Sequence, residues 1–214
     1  MTHPLLADLR RARIVPVVRT STAALAATAV EWLREAGLRI FEITLTTPDA
    51  LALIHRLATE RLAAEPGLLV GAGTVPDAAA AEACLDAGAQ FLVTPWLDAG
   101  VVAAARRRGA CAMPGAMTPT EIRAALAAGA DAVKIFPAAS LGGPAHIRAL
   151  RAVFPDVAFC PTGGVDAGNA HAYLEAGAAF VGIGGRLVDE ARLAAGDKPA
   201  ILRAARDALG LLQA

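Results

Sequence analysis

Thr118-Pro119-Thr120-Glu121-Ile122-Arg123-Ala124-Ala125-Leu126-Ala127-Ala128-Gly129-Ala130-Asp131-Ala132-Val133-Lys134-Ile135-Phe136-Pro137 holds one full structural period of this chain. Pro119 and Glu121 behind Thr118 mark a helix start. Proline loses nothing in a first turn, and a carboxylate there meets the positive end of the helix dipole. Alanine and leucine fill the middle. Gly129 ends the helix, because glycine takes the left-handed conformation at a helix C-terminus without steric cost. The short apolar run at 132–137 then reads as a strand.

The same period extends in both directions. Strand candidates lie at 14–19, 39–45, 68–74, 91–96, 110–115, 132–137, 157–162 and 179–184, with starts 19 to 29 residues apart. Each interval has room for one helix and two loops. Gly37, Gly88, Gly109 and Gly177 repeat the stop signal of Gly129. Alternating β and α units predict a parallel sheet. Eight of them without a dominant insertion favour a closed (β/α)8 TIM barrel over an open doubly wound sheet. Residues 1–13 read as an extra N-terminal helix, and 1–214 as a single domain.

Composition narrows the function classes. The 214 residues are 56% hydrophobic with a formal net charge of zero, so no global field favours nucleic acid or an anionic membrane. Arg106-Arg107-Arg108 just before Gly109 is explained as the cationic end of a helix. Cys84, Cys111 and Cys160 are too scattered for a disulfide framework or zinc knuckle, and fit small core residues in a reducing cytoplasm. The N-terminus lacks the apolar run of a signal peptide, and charge, Gly or Pro interrupts every stretch long enough to cross a membrane. His3, His55, His146 and His171 fall in helices or loops without metal-ligand spacing, so no metal is expected.

In a barrel of this kind the active site lies at the C-terminal ends of the strands. Those ends are Arg19, Glu42 to Thr46, Gly71 to Thr74, Thr94-Pro95, Pro114-Gly115, Lys134 to Phe136, Thr162-Gly163-Gly164 and Gly184-Gly185-Arg186. Parity sorts them. Phe41, Ile43 and Leu45 form the apolar face that must meet the helices, which turns Glu42 inward. On the sixth strand, Val133 and Ile135 face the helices and place Lys134 and Phe136 inside. Strands two and six stand opposite each other in a ring of eight, so Glu42 and Lys134 can meet across it.

Of the 20 basic residues only two are lysines, and Lys134 alone lies in a strand; Lys198 has an ordinary place in the polar turn 196–199. A buried structural salt bridge would also pair Lys134 with Glu42, but such pairs add little net stability after desolvation. Perturbed titratable groups gather in active sites. Enclosure favours an uncharged amine, the form that attacks a carbonyl, and a carboxyl group beside it can carry protons. Gly71-Ala72-Gly73-Thr74 lacks the third glycine of a dinucleotide fingerprint. Thr162-Gly163-Gly164 and Gly184-Gly185 occupy the usual phosphate position of this barrel class, where backbone N–H groups meet an anion.

Phe41-Glu42-Ile43-Thr44-Leu45, Gly71-Ala72-Gly73-Thr74-Val75, Val93-Thr94-Pro95, Met113-Pro114-Gly115, Lys134-Ile135-Phe136-Pro137 and Pro161-Thr162-Gly163-Gly164-Val165 together resemble the KDPG/KHG aldolase family. The likeness runs in order from Ile14 to Val188. It implies cleavage of 2-keto-3-deoxy-6-phosphogluconate to pyruvate and glyceraldehyde 3-phosphate, or of 4-hydroxy-2-oxoglutarate to pyruvate and glyoxylate. It further implies a Schiff base on Lys134 without a separate cofactor, proton transfer by Glu42, and a homotrimer. By the same resemblance Thr74, Pro95 and Phe136 line the pyruvate pocket, and Thr162, Gly163 and Gly164 hold the distal phosphate.

Two departures stand out. Thr46 occupies a position where some members place an Arg on the substrate carboxylate, and Arg19 is expected to supply that charge from the neighbouring strand. Gly185-Arg186 stands where many members have a Ser near the phosphate. Gly184, Gly185 and Arg186 therefore join the expected substrate-binding set. The alternatives are an aldolase for the galactonate epimer, a phosphosugar isomerase or epimerase, and a non-catalytic phospho-ligand barrel. The last two have no use for a lysine inside a strand.

Overall fold

Parallel strands and helices alternate along the chain as expected. The structure, a computed structural model, describes residues 3–210. Met1 and Thr2 of the expected N-terminal helix, and 211–214 of the expected domain, lie outside the described residues. The strands are β1 (Ile14–Val18), β2 (Ile40–Thr44), β3 (Leu69–Gly73), β4 (Phe91–Val93), β5 (Cys111–Met113), β6 (Gly115–Ala116), β7 (Val133–Ile135), β8 (Phe159–Pro161) and β9 (Val181–Ile183). Each falls inside a run picked out by hydrophobic patterning, except that β6 passes the end of the run 110–115 by one residue, Ala116.

The sheet departs from the expected single ring of eight. Six strands form one sheet in the order β5-β4-β3-β2-β1-β9, and β6-β7-β8 form another. Pro114 is the physical cause of the first break. It has no N–H to give to a ladder, so the fifth run divides around it into β5 and β6. Its carbonyl still accepts from the Lys134 N–H at 2.9 Å. At the other junction, β8 and β9 are joined by the Thr162–Gly182 bridge and by a 2.9 Å bond from the Ala179 N–H to the Phe159 carbonyl.

Side-chain parity divides the core in two. One apolar layer lies between strands and helices and includes Ile14, Val18, Phe41, Ile43, Val133 and Ile135. A second, on the other strand face, comprises Val15, Ile40, Leu69, Phe91, Val93, Cys111, Met113 and Phe180 with Leu5, Leu6 and Leu9. Those three leucines belong to the first helix, α1 (Leu5–Ala12), and are its buried residues. The N-terminal helix therefore seals the inner layer at the strands' N-terminal ends, and the polar inner residues are left for the other end.

Helix ends follow the sequence signals. Gly37, Gly88, Gly109, Gly129 and Gly177 all have φ between 68° and 107°. Thr118 and Glu121 form a capping box at the start of α6 (Pro119–Ala128). The arginine run closes α5 (Ala99–Arg107), where Arg107 and Arg108 pair with Glu82, and Arg108 also with Asp86. Lys198, expected in a turn, instead opens a helix (Lys198–Gly210) and pairs with Glu35 at 2.6 Å.

Candidate active site

Lys134 is the middle residue of β7, flanked in the ladder by Gly115 of β6 and Cys160 of β8. Glu42 is the middle residue of β2, opposite Val17 and Gly71. Each retains only 3% of its accessible surface. Lys134 Nζ lies 3.5 Å from Glu42 Oε1 and 5.3 Å from the centre of the Phe136 ring. The lysine–carboxylate approach lacks hydrogen-bond geometry, so Oε1 is a buried acceptor with no partner among the described residues. An orphaned buried oxygen costs on the order of 1–3 kcal/mol, and such atoms are kept mainly where chemistry uses them.

Lys134 lines a cavity of about 600 Å³ with Arg19, Phe136, Thr162, Gly163, Gly164, Gly184, Gly185 and Arg186, together with Val17, Val165, Asp166 and Asp189, while Glu42 stands behind the lysine and outside that lining. Nine of the expected site residues thus share one space. Thr74 touches it indirectly: its Oγ accepts from Arg19 Nη2 at 3.2 Å. Thr74 also has a left-handed φ of 57°, unusual for a β-branched residue and of a kind that clusters at functional sites. Thr46 and Pro95 are set apart. Thr46 is exposed and shares a 3.0 Å hydrogen bond with Thr44, while Pro95 packs beside Gly115, and neither lines this cavity.

The far end of the cavity offers backbone donors. Gly163 and Gly164 are both left-handed, with φ of 90° and 76°. The N–H groups of Gly163, Gly164, Gly185 and Arg186 are paired with no acceptor among the described residues. Consecutive N–H groups turned the same way make a concavity that suits an anion. Arg186 adds a solvent-facing charge there, its side chain 80% exposed and 3.9 Å from Asp166.

Residue patterning passed over Asp166 and Asp189. Both are helix N-caps, Asp166 in a capping box with Asn169 that starts α8 (Ala167–Glu175), and Asp189 at the start of α9 (Glu190–Ala194). The cap signal is legible in Asp166-Ala167-Gly168-Asn169, but it explains the aspartate without reference to a ligand. Cys160, beside Lys134, has its thiol pushed up to about 12, first by burial and further by the nearby Glu42 carboxylate. It is a protonated wall residue, not a competing nucleophile.

Another cavity, of about 490 Å³, opens at the strands' N-terminal ends beside Arg10, Arg13 and Arg151. Arg10 and Arg151 occupy last helical turns, where a cation offsets the helix dipole, and that accounts for the charge. Among the described residues, no three His, Cys, Asp or Glu side chains gather as a metal site. Among the described residues no helix is long and apolar enough to cross a membrane.

An enclosed primary amine beside a carboxylate, at the C-terminal ends of parallel strands, is equipment for condensing with a carbonyl compound and moving its protons. The chain belongs to the KDPG and KHG aldolase family, whose profile matches residues 5–204. It is 37% identical over 200 residues to the 2-dehydro-3-deoxy-phosphogluconate aldolase of Pseudomonas aeruginosa, covering 94% of this chain and 89% of that one. It is 40% identical over 156 residues to a probable 2-dehydro-3-deoxy-6-phosphogalactonate aldolase of Rhizobium meliloti, covering 72% of each. The crystal structure of KDPG aldolase from Legionella pneumophila, with pyruvate captured as a covalent carbinolamine, superposes with a TM-score of 0.84 at 30% identity, over 94% of this chain and 96% of that one.

Proposed function

We propose that the protein is a lyase that cleaves 2-keto-3-deoxy-6-phosphogluconate to pyruvate and glyceraldehyde 3-phosphate through a Schiff base on Lys134. The observation that carries this reading is the approach of Lys134 Nζ to Glu42 Oε1, 3.5 Å, with Lys134 in the wall of the cavity that also collects Arg19 and the glycines. We read the two sheets as one (β/α)8 barrel in a single domain, closed at Pro114 and at the Thr162–Gly182 bridge.

The chemistry follows from the placement. The Lys134 amine adds to the C2 ketone, and loss of water leaves an iminium. Arg19, braced by Thr74, pairs with the C1 carboxylate. The Glu42 carboxylate takes the proton of the C4 hydroxyl as the C3–C4 bond breaks, and the bonding electrons pass to the iminium nitrogen. The aldehyde product leaves and an enamine remains. Glu42 returns the proton to C3, and water hydrolyses the new iminium to pyruvate and free lysine. Phe136 walls the three-carbon end. The N–H groups of Gly163, Gly164, Gly185 and Arg186 hold the phosphate. No separate cofactor enters these steps. The same route without a phosphate converts 4-hydroxy-2-oxoglutarate to pyruvate and glyoxylate. We further propose a cytoplasmic homotrimer.

The R. meliloti relative favours a second substrate, the galactonate epimer, which differs at C4 where Glu42 acts. Pyruvate release from the three substrates separates the readings. The gluconate-derived phosphate is expected to give the highest kcat/KM. A higher value on the galactonate-derived phosphate establishes the epimer as substrate, and release from none of them overturns the lyase assignment.

A further inference from the structure

Gly73, the last residue of β3, occupies a backbone conformation open to any amino acid, since its φ lies outside the left-handed region. Its glycine therefore needs another explanation, and the neighbouring strand supplies one. A β-carbon placed on Gly73 would overlap Oε1 of Glu42 and would come within 2.7 Å of both its Cδ and its Cγ. Real β-carbons do not approach heavy atoms so closely, and three atoms of one side chain would have to move together. Nothing else lies among the three nearest atoms. Gly73 is fully surrounded in the inner face of the strand, and Glu42 retains 3% of its surface, so neither has free space to retreat into.

We propose that Gly73 is the positioning residue for Glu42: its missing side chain is the space that holds the carboxylate against Lys134. The Glu42 stem lies along the gap above Gly73, which brings Oε1 to the 3.5 Å separation from Nζ. Any side chain at 73 turns the carboxylate away from the amine and from the C4 hydroxyl. The functional half of this inference rests on the proton-transfer reading of Glu42 above; the packing half does not.

A double-mutant cycle tests both halves, using the full chain as wild type, Gly73→Ala, Glu42→Ala and the two combined. Gly73→Ala is expected to reduce kcat by about 10²-fold or more, the scale of a misplaced general acid–base, with a smaller change in KM. Its kcat–pH profile should also lose the wild-type limb that Glu42→Ala loses, which a purely structural defect leaves in place. Overpacking should lower Tm by about 2–12 °C in the Glu42 background. In the Glu42→Ala background the added methyl should lower neither Tm nor the residual rate further. If Gly73→Ala alone fails to fold, recovery of folded protein in the combined variant supports the same conclusion.

Wild-type kcat in Gly73→Ala overturns the positioning role. An equal Tm loss in both backgrounds, or failure of both to fold, overturns the packing claim. Full activity in Glu42→Ala would instead strike the proton-transfer reading, and the Tm comparison still decides the contact.

Discussion

Replacing Lys134 by methionine removes the amine and keeps most of the side-chain volume. The loss leaves Glu42 without its nearest cationic partner, 3% exposed, with an Oε1 that already lacks a hydrogen-bond partner. Removing one member of a buried ion pair costs about 3–5 kcal/mol, mostly because the remaining charge stays desolvated. The 3.5 Å separation and the open cavity place this pair at the lower end, near 3 kcal/mol. For a chain of this size each kcal/mol moves Tm by roughly 2–4 °C, so Lys134→Met should melt about 6–12 °C below wild type and be inactive. Adding Glu42→Gln replaces the stranded carboxyl group by an amide, and the double variant should recover most of the loss while remaining inactive. Thermal melts at neutral pH, checked by urea unfolding, decide the matter. A Lys134→Met protein as stable as wild type, or a double variant as unstable as the single one, refutes the picture of two mutually dependent buried polar groups.

Further expectations follow from the same geometry. Arg19→Ala should raise KM for every 2-oxo acid substrate by about 10–100-fold, the worth of a hydrogen bond to a charged group, whereas Arg186→Ala should affect phosphorylated substrates alone. Equal effects of Arg186→Ala on phosphorylated and unphosphorylated substrates contradict its place at the phosphate end. Burial lifts the Cys84 thiol to about 11 and the Cys160 thiol to about 12, and raises those of Cys111 and Tyr173. These groups stay protonated in the native protein while the unfolded thiols ionise from about pH 9. Their contribution to stability is therefore complete below pH 9 and drains as pH rises from 9 towards the folded values, about 11 for Cys84 and about 12 for Cys160. Urea midpoints should fall from pH 8 to pH 10; a midpoint that holds or rises removes this linkage.

Strand parity made the Lys134–Glu42 meeting legible before any coordinates, because Ile43 and Ile135 could face only the helices. The glycine helix stops were legible for a similar reason, since few residues tolerate their conformation. The sheet break was not, because burial patterning reports which face a residue shows and says nothing of which N–H completes a ladder. Pro114 stood in view, yet its effect depends on where the ladder would have run. Thr46 was placed near the site by its motif, but its hydroxyl turns to Thr44. Asp166 and Asp189 carry no decisive ligand signal in the sequence, because helix capping already explains an aspartate. The role of Gly73 needs the distance between two strands, which no one-dimensional pattern holds.

The most direct test of a lysine nucleophile is chemical capture. Pyruvate and borohydride are added to the folded protein, and the digest is searched for the reduced adduct by mass. The expected outcome is one adduct, on the peptide containing Lys134, absent from Lys134→Met and slowed by Arg19→Ala. Saturating pyruvate that leaves Lys134 unmodified, or an adduct carried equally by Lys198, contradicts it.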